Sequence, residues 1–117
     1  MLNKSFGIIL FVSLLALTGC RSPDIYHWGR YEDAVYGMYA KPDKNPPEMQ
    51  LKILLEDLHK AEKLNKPVPP GFHAHLGYLY VQAGQVDFGR QQFLFEKQQF
   101  PEAATFIDRL VNNLANK

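Results

Sequence analysis

Apolar residues recur at intervals of three and four through almost all of the chain beyond residue 28. That spacing places them on one face of an α-helix, whereas no stretch shows the alternation of a half-buried strand. Prolines and glycines interrupt the pattern around residues 42–47, 67–71, 84 and 101 and mark the ends of successive helices. The sequence therefore predicts an all-α domain of about five helices, and the short connections favour antiparallel hairpins.

The predicted helices have recognisable start and stop signals. Asn45 is expected to be the N-cap of the second helix, with Pro46 at its first position and Glu48 three residues after the cap. Gly84 is expected to stop the third helix. The predicted helices cover about residues 29–39, 46–65, 71–83, 86–99 and 101–114.

The first nineteen residues have the layout of a signal peptide. Lys4 provides a positive charge, and residues 7–17 form an apolar stretch that is too short to span a bilayer as a helix. Leu17-Thr18-Gly19-Cys20 then matches the motif at which bacterial lipoproteins are cleaved and acylated, and Cys20 is the single cysteine of the chain. We therefore predict removal of residues 1–19 and lipidation of Cys20, against the alternative of an ordinary secretory signal.

The mature chain is then a short tether, residues 20–28, followed by a folded domain, residues 29–117. Asp directly after the lipidated cysteine favours retention in the inner membrane, so Arg21 predicts the periplasmic face of the outer membrane. From Arg21 to Ile25 the chain spans at most ~18 Å, which keeps the domain close to the bilayer. The formal net charge is +1. Removal of Lys4 brings it to about zero, which leaves no basic footprint for nucleic acid.

A more specific pattern lies in the third and fourth predicted helices. The following residues are spaced as in a tetratricopeptide repeat: Leu76, Gly77, Tyr80, Gly84, Gly89, Phe93 and Pro101. In such a repeat Gly77 and Gly89 lie where the two helices cross closely. His73 and Glu96 depart from the pattern, because the repeat often has Trp and prefers Ala at those positions. The flanking helices resemble a degenerate repeat and a capping helix. The alternative is a generic antiparallel hairpin.

The whole chain also resembles a family of small, uncharacterised bacterial lipoproteins with a tetratricopeptide-like domain. The resemblance is carried by the motif at Cys20, the aromatic segment 26–31, the proline-rich break and Leu76-Gly77-Tyr78. It implies a gene neighbourhood that includes a lipoprotein similar to the curli secretion channel, and hence membership of an outer-membrane assembly. It supplies no catalytic residues.

Residues suited to catalysis or metal binding are scattered. His73 and His75 are two positions apart and point about 200° from each other on a helix, so they cannot share a metal ion. His75 is expected to be a hydrogen-bonded core residue. The adjacent carboxylate pairs Glu32-Asp33 and Glu56-Asp57 diverge in the same way. Because nucleophile and phosphate-binding motifs are also missing from the sequence, we expect neither an enzyme nor a cofactor or metal site.

Two surfaces are candidates for binding a partner. The repeat pattern implies a groove, which is either a binding site or a solvated face; its predicted residues are Ala74, Tyr78, Val81, Gln82, Asp108 and Asn112. The other candidate is the aromatic segment 26–39, in which Trp28 is the first choice. Its rings either pack the first helix onto the domain or form an exposed patch against lipid headgroups or a neighbouring subunit.

These expectations together describe a lipid-anchored periplasmic adaptor or accessory subunit that binds a protein through the groove. The resemblance suggests a neighbouring outer-membrane lipoprotein complex as the partner. The alternative is an activator of peptidoglycan synthesis, since some activators of penicillin-binding proteins are lipoproteins with tetratricopeptide repeats. The short tether counts against this alternative, and a third class, hydrolase or transferase, lacks a nucleophile.

Overall fold

The computed structural model describes residues 24–116, so the predictions for residues 1–19 and for Cys20 lie outside the described residues. Residues 24–116 contain no strand, and the all-α prediction is confirmed. The α-helices are α1 (Tyr31–Ala40), α2 (Pro47–Lys63), α3 (Phe72–Gln82), α4 (Val86–Gln99) and α5 (Ala104–Ala115). Two short 3-10 helices, Pro42–Lys44 and Pro101–Ala103, precede α2 and α5, so Pro101 begins a 3-10 turn and not the α-helix itself.

The start of α2 differs from the prediction. Pro46 is the N-cap and Pro47 the first helical residue, so the assignment of Asn45 as N-cap is wrong. The Asn45 side-chain amide instead donates to the carbonyl of Lys41 at 2.8 Å and to that of Gly37 at 3.3 Å. Because the intervening 3-10 turn folds the chain back beneath α1, Asn45 satisfies carbonyls at the C-terminus of α1.

Left-handed residues end two of the helices. Asn65 has φ 51° beyond the end of α2, where the N–H of Lys66 donates to the carbonyl of Ala61. Gly84 has φ 78° beyond α3, where the N–H of Gln85 donates to the carbonyl of Tyr80. These six-residue closures are the usual way to satisfy the last carbonyls of a helix. The prediction that Gly84 stops the third helix is confirmed.

The main hydrophobic core lies between α1, α2 and α3. Leu54, Phe72, Leu76 and Leu79 are fully buried in it. Its other buried members are Ala34, Leu51, Ala61 and Val68. The core positions of α2 and of α3 recur at helical spacing, so each of these two helices buries one apolar stripe. Ala34 comes from α1, and Val68 from the loop before α3.

α3 and α4 form an antiparallel pair that crosses at two glycines. A Cβ at Gly77 would lie 2.6 Å from the Phe93 ring and 2.8 Å from the carbonyl oxygen of Gly89. A Cβ at Gly89 would lie 2.6 Å from the Val81 side chain and 2.8 Å from the carbonyl oxygen of Gly77. Glycine is therefore required at both positions for the helices to approach so closely. The prediction that Gly77 and Gly89 meet at this crossing is confirmed.

The segment before α1 packs against the domain. The N–H of His27 donates to the carbonyl of Pro67 at 2.8 Å, and the Tyr26 ring lies 6.2 Å from the Phe100 ring. Part of the predicted tether, residues 20–28, thus belongs to the folded unit.

A buried carboxylate on α2 then fixes the start of α1. Asp57 accepts the backbone N–H of Arg30 at 2.7 Å and the Arg30 guanidinium at 2.9 Å. Gly29 lies directly against this carboxylate with φ 49°.

Candidate partner-binding cleft

An open, apolar cleft of about 550 Å³ lies between α1, α3 and α5. None of the described residues that line it is Asp, Glu, Lys or Arg. Its residues are Tyr31, Val35, Met38 and Tyr39 from α1; Gly71, Ala74, His75 and Tyr78 from the start and middle of α3; and Phe93, Phe106 and Leu110 from α4 and α5. We call this surface the cleft.

Three large side chains form exposed walls of the cleft. Tyr39 is 78% exposed, Phe106 57% and Tyr78 43%, and each comes from a different helix. In α5, Phe106 and Ile107 are adjacent, so they point about 100° apart and cannot both face the core. Ile107 is fully buried, and Phe106 is left at the surface. Exposed aromatic side chains that converge from three helices are typical of interaction surfaces.

The floor of the cleft is polar at one buried residue, His75. Its Nε2 lies 3.3 Å from Oε1 of Gln50, and its ring stacks 6.4 Å from the Tyr78 ring. Burial lowers the pKa of His75, which favours the neutral imidazole. The prediction of a hydrogen-bonded core histidine is confirmed. His73 points elsewhere, with its Nδ1 2.7 Å from Oε1 of Gln92 on α4.

Glu96 on α4 caps the N-terminus of α3, which forms one end of the cleft. Its buried carboxylate accepts the N–H of Gly71 at 2.6 Å and the N–H of Ala74 at 3.3 Å. These are two of the N–H groups that a helix N-terminus leaves without an intrahelical partner, and a negative charge is favourable there. The Tyr31 hydroxyl lies beside Gly71, and burial together with the charge of Glu96 raises the pKa of Tyr31. The departure of Glu96 from the repeat pattern thus has a structural role.

A second, shallower surface adjoins the cleft on the outer side of α1. We call it the aromatic face; it is lined by Trp28, Tyr31, Glu32, Val35, Tyr36 and Tyr39. Trp28 is 40% exposed and Tyr36 68%. The Trp28 ring lies 6.4 Å from the ring of Tyr31, which in turn lies 5.5 Å from the buried ring of Phe72. Tyr31, Val35 and Tyr39 line both surfaces, so the cleft and the aromatic face are continuous.

The predicted site residues divide between these surfaces and other places. Tyr78 and Ala74 line the cleft, and Trp28 lines the aromatic face. The other four predicted residues, Val81, Gln82, Asp108 and Asn112, lie outside the cleft walls. Val81 is half-buried against Gly89, whereas Gln82 and Asn112 are exposed. Asp108 accepts a hydrogen bond from the Lys97 ammonium at 2.7 Å.

Sequence reasoning missed the contribution of α1 and of Phe106 to the cleft. It placed α1 in a separate aromatic segment and did not include Phe106 among the predicted groove residues. The adjacent pair Phe106-Ile107 is the signal that could have identified an exposed aromatic residue, because only one of the two can face the core.

Within residues 24–116, no group of three or more His, Cys, Asp and Glu side chains is arranged to hold a metal ion. The helices in the same range are all too short or too polar to cross a membrane.

Comparisons with curated proteins and with solved structures found no match. The model of one protein family, described as "Domain of unknown function (DUF4810)", matches residues 25–110. This match covers the aromatic face, α1 to α4 and the part of α5 that lines the cleft. Since the matched region is most of the chain, the protein belongs to the DUF4810 family.

Proposed function

We propose that the protein is a lipid-anchored adaptor that holds a segment of a protein partner in the cleft. The observation that carries the proposal is the set of exposed walls, Tyr39, Tyr78 and Phe106, around an uncharged floor. Aromatic side chains combine large contact area with few rotatable bonds, and they are enriched where proteins bind each other. A binding role is favoured over catalysis, because the titratable groups among the described residues that line the cleft are His75 and three tyrosines.

The interpretation of α3 and α4 as a tetratricopeptide-like repeat supports a binding role for the same surface. We propose that the α3–α4 pair is a tetratricopeptide-like hairpin, supported by the close crossing at Gly77 and Gly89. In such repeats the first helix of each hairpin contributes to a concave binding surface. Ala74 and Tyr78 of α3 lie in the cleft in keeping with that arrangement.

Anchoring is the second part of the proposal. The motif that ends at Cys20 supports acylation of that cysteine, and Arg21 supports the periplasmic face of the outer membrane. Two or more acyl chains hold a protein on a bilayer stably, whereas one chain does so only marginally. The proposed partner is a neighbouring protein of the outer membrane, such as a subunit of a lipoprotein complex. Cys20→Ser should remove palmitate labelling and release the protein from the membrane fraction.

Photo-crosslinking in living cells tests the cleft. A photoreactive amino acid replaces Tyr78 or Phe106 on its walls, and Leu94 on α4 is the matched control because it is exposed but lies outside the cleft. We expect Tyr78 and Phe106 to capture the same protein, identified by mass spectrometry, and Leu94 not to capture it. The capture from Tyr78 should be lost when Phe106→Ser is added.

Other outcomes would change the proposal in defined ways. Capture of a penicillin-binding protein from the cleft would favour the alternative of an activator of peptidoglycan synthesis. Equal capture from Leu94, or no capture from Tyr78 and Phe106 in folded protein, would rule out the cleft as the binding surface. Crosslinking from Trp28 under the same conditions separates the aromatic face from the cleft.

A further inference from the structure

The aromatic face exposes three amphipathic aromatic side chains, two of which lie outside the cleft. Trp28 and Tyr36 belong to it alone, and Tyr39 stands at its border with the cleft. All three side chains are at least 40% exposed. Indole and phenol rings have an apolar body and a polar edge, and they favour the headgroup region of a bilayer over both water and hydrocarbon.

The charges around this face fit a zwitterionic lipid surface. Glu32 lines the face, and Asp33 is exposed in the same turn of α1. The nearby Arg30 guanidinium is already bound by Asp57 and by Glu56, at 2.9 and 3.2 Å. Because no free basic cluster lines the face among the described residues, contact with lipid would depend on the rings and on anchoring, with no electrostatic attraction to anionic lipid.

The length of chain before the structure places the anchor close to this face. The five residues that follow Cys20, Arg21 to Ile25, span at most ~18 Å, and Ile25 is exposed. The chain then reaches Trp28 within three residues, and the Tyr26 and Trp28 rings lie 6.5 Å apart. The chain therefore enters the domain beside the aromatic face, so an acylated Cys20 would hold this side of the domain within reach of the headgroups.

We infer that the aromatic face rests in the headgroup region of the bilayer that holds the lipid anchor. This inference rests on the anchoring part of the proposed function. The contact orients the domain with α1 against the membrane surface, and the cleft opens beside it because Tyr31, Val35 and Tyr39 are shared.

The single tryptophan of the chain provides the test. Full-length, processed and lipidated protein is reconstituted into vesicles of phosphatidylethanolamine and phosphatidylcholine, and the emission of Trp28 is recorded. We expect a blue shift relative to the protein in detergent, quenching by phosphatidylcholine brominated near the headgroup, and protection from iodide. In the matched control, Trp28→Phe combined with Phe88→Trp, the reporter moves to an exposed position on α4 and should stay accessible to iodide.

A second variant checks that the face, and not proximity alone, makes the contact. Tyr36→Ser with Tyr39→Ser should reduce the quenching of Trp28 by the brominated lipid while the protein still floats with the vesicles. Protein that floats with Trp28 fully open to iodide would overturn the inference and leave the anchor intact. Protein that does not float would overturn both. If Trp28 were protected from iodide in native outer membranes but not in the vesicles, the inferred lipid contact would be wrong, and a protein would be the occupant of this face.

Discussion

A single carboxylate, that of Glu96, supplies the N-terminus of α3 with two hydrogen bonds from a different helix. Glu96→Ala leaves the partly buried N–H groups of Gly71 and Ala74 without these acceptors. We expect it to lower the free energy of unfolding by about 1–3 kcal/mol. Glu96→Gln keeps one acceptor oxygen and loses the charge, so its cost should be smaller. Urea denaturation followed by circular dichroism measures both.

The matched control for Glu96 is Glu102→Ala, which removes an exposed carboxylate in the 3-10 turn after α4. We expect Glu102→Ala to change stability by no more than about 0.5 kcal/mol, as is usual for surface positions. Equal stability of the Glu96→Ala and Glu102→Ala proteins would show that the cap does not stabilise α3.

The roles of individual residues could not be predicted from the sequence where a polar side chain hydrogen-bonds to the end of another helix. Asn45 precedes Pro46 and Pro47, a strong local signal for a helix start, yet its amide binds the end of the preceding helix. Glu96 lies 25 residues from Gly71, whose N–H it accepts. Capping signals are read from neighbours in sequence, and tertiary partners of this kind leave no local pattern. His75 was predictable, because its position on an apolar stripe implies burial.

At the level of elements, the close approach of α3 and α4 depends on the two glycines at their crossing, Gly77 and Gly89. Gly77→Ala gains helix propensity but places a Cβ 2.6 Å from the Phe93 ring and 2.8 Å from a backbone oxygen. Backbone cannot yield as a flexible side chain can, so we expect a net loss of about 1–3 kcal/mol in the free energy of unfolding. Thermal and urea denaturation measure this loss.

Gly84→Ala provides the comparison for Gly77→Ala. A Cβ at Gly84 meets nothing within 4 Å, but φ is 78° there, so only backbone strain of roughly 1 kcal/mol is expected. The Gly77→Ala protein should therefore be the less stable of the two. A Gly77→Ala protein as stable as the parent would mean that the helices can separate at no cost.

The positions of the helices could be predicted from the sequence, whereas the way in which the helices pack together could not. The fourth helix spans Val86–Gln99, as its apolar spacing predicts, and Gly84 follows the end of the third helix. Val35 of α1 and Phe106 of α5 line the same cleft although about 70 positions separate them, and periodicity carries no information about such a relation. The cleft itself was therefore predicted only at Ala74 and Tyr78.

The whole molecule should lose stability in acid in two stages. Burial lowers the pKa of His75 from its ordinary value of 6.5. Burial acts to raise the pKa of Asp57, but hydrogen bonds from the Arg30 side chain and backbone outweigh it and lower that pKa from 3.8. In both cases the unfolded chain binds protons more readily, so stability present above the unfolded pKa is lost as the pH falls through the folded pKa.

We therefore expect the free energy of unfolding to be highest between pH 6.5 and pH 10, because the raised pKa of Tyr31 costs stability above that range. It should decline below pH 6.5, where the unfolded chain takes up a proton at His75 more readily than the folded chain, and decline again below pH 3.8. Urea unfolding from neutrality into acid measures the profile. His75→Asn should remove the first decline, and Asp57→Asn should remove the second while lowering stability at neutrality. A profile of His75→Asn identical to that of the parent would exclude His75 as the origin of the first stage.

The cap of α3 also bears on the order in which the chain acquires structure. Synthesis proceeds from the N-terminus, so α3 is made before Glu96, the residue that satisfies its first N–H groups. An isolated helix of 11 residues is marginal in water even with good propensity. α3 therefore depends on α4 for its N-terminal cap as well as on α1 and α2 for its buried side, and a chain halted before residue 96 would leave the first turn of α3 without that cap.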